Sequence, residues 1–169
     1  MALRNILRDG EKSLLKTSRA VTDYNARLHQ LIDDMRETLI EAEGLGLAAP
    51  QVGVLRRVVI VVDTSREGTV EDQMIELVNP EIIARSGEQV GHEGCLSVPE
   101  VYGIVERPQL VKIRAFDRNG EMFEIYGEGL TARAFCHEID HLNGVLFTSL
   151  ATRFLTADEL EELRKTERP

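Results

Sequence analysis

Several features that would place a chain in a large functional class are missing or scarce in this sequence. It has two cysteines, Cys95 and Cys136, 41 positions apart. One follows a glycine and the other lies inside a helical pattern, so a disulfide scaffold is excluded and reduced cytosol is the natural compartment. No apolar run approaches the roughly 20 residues needed to cross a bilayer, and the opening stretch Met1 to Gly10 has no apolar core long enough for a secretion signal. Basic runs stop at pairs such as Arg56-Arg57, and the formal net charge is −9. Both facts disfavour DNA, RNA and anionic membranes as partners. No internal repeat or low-complexity linker is present, and 43% hydrophobic residues suffice for one core, so residues 1–169 read as a single domain.

What is present alternates between two periodicities. Leu28, Leu31, Ile32, Met35, Leu39 and Ile40 recur at helical spacing from Tyr24 to Glu43, opened by Thr22-Asp23 and closed by Gly44. Arg57 to Val62 and Met74 to Val78 are β-branched runs. Leu110 to Phe116 and Glu121 to Tyr126 alternate across an Asp117-Arg118-Asn119-Gly120 turn, predicting a hairpin. Helical spacing returns from Leu130 to Leu142 and stops at Asn143-Gly144. Thr156 to Glu159 forms a capping box for a last short helix to about Lys165. Strands without regularly interleaved helices imply an α+β fold with mostly antiparallel sheets packed around the central helix, with a long N-terminal helix and a short C-terminal one.

That central helix carries His137-Glu138-Ile139-Asp140-His141. Histidines four residues apart on a helix lie about 40° apart around its axis and about 6 Å along it, so both imidazoles can reach one ion. Glu138 lies off the ligand face, close enough to touch a water on the same ion, the layout of a hydrolase. Two routes lead to a third ligand. One is a carboxylate of the last helix, Glu159, Glu161 or Glu162. The other is Cys95, which a metal would hold as thiolate. Cys95 is preferred, because a surface-helix glutamate normally faces solvent; as a bare cysteine it would otherwise be a small buried hydrophobe. A second segment, Gly44-Leu45-Gly46-Leu47-Ala48-Ala49-Pro50-Gln51-Val52-Gly53, lets backbone approach a ligand closely and offers the Gln51 amide. Taken alone it reads equally as a helix stop and tight turn.

Three segments in this order, Gly44 to Gln51, Glu93-Gly94-Cys95-Leu96-Ser97 and His137 to Gly144, resemble the signature motifs of the peptide deformylases, in their short bacterial type 1-like form. The likeness covers nearly the whole chain. It implies an α+β fold around the metal-bearing helix and removal of the formyl group from N-terminal formyl-methionine of nascent polypeptides, releasing formate. It assigns Cys95, His137 and His141 as metal ligands with water as the fourth. Glu138 becomes the general base and later the acid; the Gln51 side-chain amide and the Leu96 backbone N–H become oxyanion donors. Backbone near Leu45, Gly46 and Gly94 would pair with the extended peptide, and Leu45, Leu130, Ala134 and the His137 ring would wall a methionine pocket. A core role for Leu130 and Ala134 fits their spacing as well. Cys136 stands where many members have Gln.

The resemblance also implies one divalent metal, Fe(II) in the cell, with Zn(II), Ni(II) or Co(II) suiting the same ligands in purified protein. It implies cytoplasmic N-formylmethionyl peptides as partners and a transient ribosome contact, for which no basic patch marks a place. An endopeptidase using a downstream glutamate and a non-catalytic metal-stabilised module remain as alternatives. Among the other polar residues, His29 reads as an ordinary helix histidine and His92 as a non-ligand. Asp140 orients a neighbour, and Glu93 and Arg107 form a buried pair that braces the Cys95 loop.

Overall fold

The structure, a computed structural model, describes residues 2–167. After a single 3-10 turn at Lys12–Leu15, helix α1 spans Ala26–Ala42 and leads to strand β1 at Gly46–Ala48. The Gly-rich segment is therefore a short strand followed by a 3-10 turn, Ala49–Val52, and not a bare helix stop. Strand β2 is Val58–Val62, the short helix α2 is Val70–Gln73, and β3 is Met74–Ser86. Strands β4 (Gln89–Cys95) and β5 (Val98–Arg107) form one hairpin, β6 (Leu110–Phe116) and β7 (Met122–Glu128) another. Helix α3 is Leu130–Leu142, and the two-residue strand β8 (Arg153–Phe154) precedes helix α4, Ala157–Glu167.

The strands make two sheets, β1-β2-β3-β6-β7 and β4-β5-β8, in which every strand pair is antiparallel. Strand β2 explains the layering. Val58, Ile60 and Val62 pack with Leu28, Leu31, Ile32, Met35 and Leu39 of α1, while Val59 and Val61 pack with Ala132, Phe135, Ile139 and Leu142 of α3. A strand covered on both faces must be apolar at every position, which is why its sequence is a continuous run. Each such side chain contributes on the order of 1.5–3 kcal/mol by burial. On its far side α3 meets β5, where the buried Arg133 donates to the Val105 carbonyl. The motif helix thus lies between the two sheets.

The boundaries shift where local chemistry outweighs periodicity. Helix α1 starts two residues later than its pattern, because the Asn25 side chain accepts from the Leu28 N–H and caps it. It ends on Glu43 in the left-handed conformation, before Gly44, and Ile40 lies outside the buried face. Strand β3 runs past Val78 through a register shift at Asn79, which adopts φ 50 and grips the Val21 backbone with its amide. Asn-Pro reads as a turn in sequence; here it is a bulge inside a strand. The capping box of α4 forms as expected, with Thr156 and Glu159 bonded reciprocally.

Candidate metal centre

Helix α3 places His137 and His141 one turn apart, with ring centroids separated by 4.9 Å and planes at 74°. Strand β4 ends on Cys95, and a two-residue turn, Leu96-Ser97, returns the chain into β5 with Cys95 paired to Val98. That turn delivers the thiol to the helix: Cys95 Sγ lies 3.3 Å from His141 Nε2. One ligand atom from each of Cys95, His137 and His141 falls within 4.8 Å of the others. Tetrahedral metal bonds of about 2.0–2.3 Å put neighbouring ligands roughly 3.3–3.7 Å apart, so the set fits a divalent ion with small adjustments.

A buried ionic network orients the cluster. Glu93 accepts from His137 Nδ1 at 2.5 Å, which leaves Nε2 as the nitrogen available to an ion. Arg107 donates to both Glu93 oxygens at 2.6 and 3.1 Å and to Asp140 at 2.6 Å, and Arg133 donates to Glu93 at 2.8 Å. The expected Glu93–Arg107 pair is therefore present, and Asp140 holds the same arginine and lies outside the Cys95, His137 and His141 cluster. Arg133 escaped the sequence reading, because an arginine on the buried face of an amphipathic helix breaks the pattern; that break was the available signal.

The charges are set by this packing. Burial opposes ionisation of Glu93, yet the bonds from His137 and Arg107 outweigh it and hold its carboxyl down at about 2. Burial also opposes an imidazolium at His137, but Glu138, Cys95 and Glu93 push its pKa well above the ordinary value. His141 goes the other way, to about 3, through burial and then the neighbouring His137. Two imidazoles facing one point cannot both be protonated, and surroundings that favour a proton there favour a cation in its place. The donor set and its electrostatics both fit a bound metal.

Glu138 is 4% exposed, with Oε2 3.9 Å from His137 Nε2 and Oε1 without a hydrogen-bond partner among the described residues. Burial lifts its carboxyl to about 7. Gly46 fits against it so closely that a Cβ there would stand 2.5 Å from Glu138 Oε2. The Gln51 carboxamide is fixed at both ends: its oxygen accepts from the Ala48 N–H at 2.9 Å, and its nitrogen donates to Ser97 Oγ at 3.1 Å and contacts Cys95 Sγ at 3.5 Å.

A cavity of about 700 Å³ opens over these groups. Leu45, Gly46, Gln51, Gly94, Cys95, Leu96, Leu130, Ala134, His137 and Glu138 all line it, so the structure brings every expected catalytic and pocket residue to one place. His141 sits beneath, 1% exposed. Leu130 is 50% exposed, which removes the core reading for it, whereas Ala134 both packs into the core and lines the cavity. Tyr102 is a wall residue that the sequence reading missed; its ring would stand 2.6 Å from a Gly94 Cβ. It sits in an irregular strand that contains Pro99 and Gly103 and shows no clean alternation of buried and exposed positions. His92 lies edge-on to Tyr102 and outside the ligand group, and His29 bonds the Arg118 carbonyl. Glu159 is bound to Arg153 and Thr156, Glu162 pairs with Lys165, and Glu161 is exposed; none belongs to the ligand cluster. Cys136 points into the core, where burial pushes its thiol pKa up.

Among the described residues no helix is long and apolar enough to cross a membrane. A peptide deformylase of Caldanaerobacter subterraneus subsp. tengcongensis is 48% identical over 165 residues, covering 98% of this chain and 99% of that protein. The crystal structure of peptide deformylase from Thermotoga maritima superposes with a TM-score of 0.83 at 35% identity, over 90% of this chain and 99% of that one. The Met-Ala-Ser-bound class I type b peptide deformylase from Acinetobacter baumannii gives 0.80 at 38% identity, over 88% and 98%. The family profile described as polypeptide deformylase matches residues 3–155, and with the three ordered motifs meeting in one cavity, the chain belongs to the polypeptide deformylase family.

Proposed function

We propose that this site hydrolyses the formamide of N-terminal formyl-methionine on newly made polypeptides, with Cys95, His137 and His141 holding one divalent cation. The observation that carries the assignment of roles is the meeting of these three ligand atoms, Cys95 and His137 on the cavity wall and His141 beneath it, beside the buried Glu138 carboxyl. When bound, the cation acts as a Lewis acid on the formyl oxygen and lowers the pKa of an attacking water.

The remaining work falls to the chain. Glu138, tuned by burial to about 7, takes the proton from water as its oxygen attacks the formyl carbon. It then delivers that proton to the amine nitrogen as the C–N bond breaks, leaving formate and a free α-amino group. Negative charge on the formyl oxygen meets the Gln51 amide nitrogen and the Leu96 N–H; losing one such donor typically costs about 3 kcal/mol of barrier. The Ala48–Gln51 bond holds the amide so that its nitrogen, not its oxygen, faces Cys95. Strands β1 and β4 are the edges of their sheets, and Gly46 and Gly94 on them flank the cavity. An extended peptide adds there as a strand, and its methionine side chain enters between Leu45, Leu130, Ala134 and the His137 ring.

Fe(II) is the metal we infer for the cell, with Zn(II), Ni(II) or Co(II) compatible with one thiolate and two imidazoles. The reaction belongs in the cytoplasm on chains leaving the ribosome, with at most a transient contact there. The test is formate release from formyl-Met-Ala-Ser under anaerobic conditions with metal analysis alongside. The protein releases formate, and Glu138→Ala lowers kcat by about 10²- to 10⁴-fold while metal content holds. An unchanged rate in Glu138→Ala refutes the role of that residue.

A further inference from the structure

We infer that the N-terminal segment Leu7–Asp9 is a strap that positions the two oxyanion donors, Gln51 and Leu96; this rests on the roles proposed for them above. The Leu7 N–H donates to the Gln51 carbonyl at 2.7 Å, and the Asp9 N–H donates to the Ser97 carbonyl at 2.9 Å. Between those two carbonyls, the Gln51 side chain donates to Ser97 Oγ at 3.1 Å. Strap, glutamine and hairpin turn therefore close a ring of hydrogen bonds around the donor pair.

The ring joins parts that the fold otherwise builds separately. Gln51 belongs to the 3-10 turn after β1 of the larger sheet, whereas Leu96 and Ser97 form the tip of the β4–β5 hairpin of the smaller one. An active site requires its groups to be held within roughly 0.5 Å, and the strap ties together the two elements that carry these donors. The strap is itself anchored upstream: the Arg4 N–H donates to Thr38 Oγ1 at 2.9 Å, and the Arg4 side chain bonds the buried Asp34 of α1. Ile6 packs in the same apolar cluster as Val52, Val54 and Leu96. Downstream, Glu11 N–H returns to the Arg8 carbonyl at 3.1 Å, and Ser18 N–H bonds the Leu142 carbonyl at the end of α3. The segment thus runs from α1, across both donors, to the foot of the metal helix.

The turn at Arg8–Glu11 supplies a selective probe. Its third residue, Gly10, has φ 98 and Asp9 has no positive φ, the pattern of a type II turn. Proline is favoured at the second position of such a turn, so Asp9→Pro keeps the turn and deletes only the N–H that holds Ser97. Asp9→Ala removes the same exposed side chain and keeps the N–H.

The experiment compares both variants with the wild type as metal-loaded protein. In Asp9→Pro, kcat on formyl-Met-Ala-Ser falls by about 5- to 30-fold, a part of the 10²- to 10³-fold typical of losing a whole donor. KM and metal content hold, and Asp9→Ala stays within about twofold of wild type, since only the N–H acts. In ¹H–¹⁵N spectra the Gln51 side-chain amide resonances move in Asp9→Pro and not in Asp9→Ala. Arg4→Ala, which frees the upstream anchor, gives a smaller kcat loss of the same kind and serves if Asp9→Pro does not fold. Equal kcat in the two Asp9 variants with unmoved Gln51 resonances overturns the proposal. A wild type that releases no formate sinks the deformylation reading instead, and the resonances still decide whether the strap positions Gln51.

Discussion

Gly46→Ala isolates the geometry of the general base, because the substitution adds one methyl group and alters no proposed ligand. Gly46 has no positive φ, so alanine fits the backbone and the effect is steric alone. The added Cβ would stand 2.5 Å from Glu138 Oε2 and 2.8 Å from its Cδ and Cγ. Ordinary contact begins near 3.4 Å, so the carboxylate must retreat by about 0.6–0.9 Å. Three side-chain atoms collide at once and Glu138 is buried, so rotation of the carboxylate tip alone does not relieve the clash. A displacement near 1 Å at a catalytic group costs about 10²-fold, or roughly 2.7 kcal/mol of barrier. Overpacking adds about 1–3 kcal/mol of destabilisation, a fall in Tm of roughly 2–12 °C for a chain of this size. The assay is formate release with metal content measured on the same sample: kcat falls about a hundredfold while the metal stays. Gly91→Ala is the control, since its Cβ only reaches ordinary contact, 3.4 Å, with Arg133 Nη2. If kcat in Gly46→Ala stays within threefold of wild type, the close fit of Gly46 against Glu138 does not matter to the reaction.

Three further outcomes follow from the site and its supports. Glu93→Gln removes the charge that satisfies Arg107 and Arg133, so stability falls by about 3–5 kcal/mol in thermal melts, and chelator competition shows metal affinity down about 10- to 100-fold; unchanged values of both would mean that the network is ornamental. Cys95→Ser loses most of its metal on dialysis, whereas Glu159→Ala keeps both metal and activity; the reverse result would restore the endopeptidase ligand set. The pH dependence of stability is read through Asp34. Burial opposes its charge, but the Ala2 N–H, Gln30 and Arg4 hold its carboxyl below the ordinary value of 3.8. A lowered folded pKa gives stability that is full above the unfolded value and is lost as pH falls through the folded one. The difference between wild type and Asp34→Asn in urea melts is therefore constant near neutral pH and shrinks below about pH 4; an equal difference at both ends would refute the assignment.

The network around Glu93 also accounts for the direction of the histidine chemistry. With Nδ1 of His137 committed to a carboxylate pinned by two arginines, the ring keeps one orientation and presents Nε2 to the cluster. A cation held there would meet a donor set whose His137 ring is already oriented, which would limit the reorganisation that binding has to drive.

Elements with clean periodicity and chemistry with local spacing could be read from the residues alone. Helix α3 and its two histidines, the core face of α1, the strands β2 and β6 and the capping box of α4 were all legible, because each follows from contacts within a few residues. The roles of Cys95, Gln51 and Glu138 came together only through the resemblance of the three ordered motifs to the peptide deformylases. Strands β4 and β5 were not legible: Gln89 to Cys95 is polar and glycine-rich, and its pairing partner is fixed by the hairpin and by Arg107 and Arg133 reaching Glu93. The continuation of β3 beyond Asn79 depends on Val21, 58 positions away. Three features emerge from packing alone: Gly46 is confined by Glu138, Arg133 is a buried partner of Glu93, and Tyr102 walls the cavity beside Gly94. Each of these is a contact between segments far apart in the chain, where sterics and charge pairing are set by packing and leave no periodic trace in the sequence.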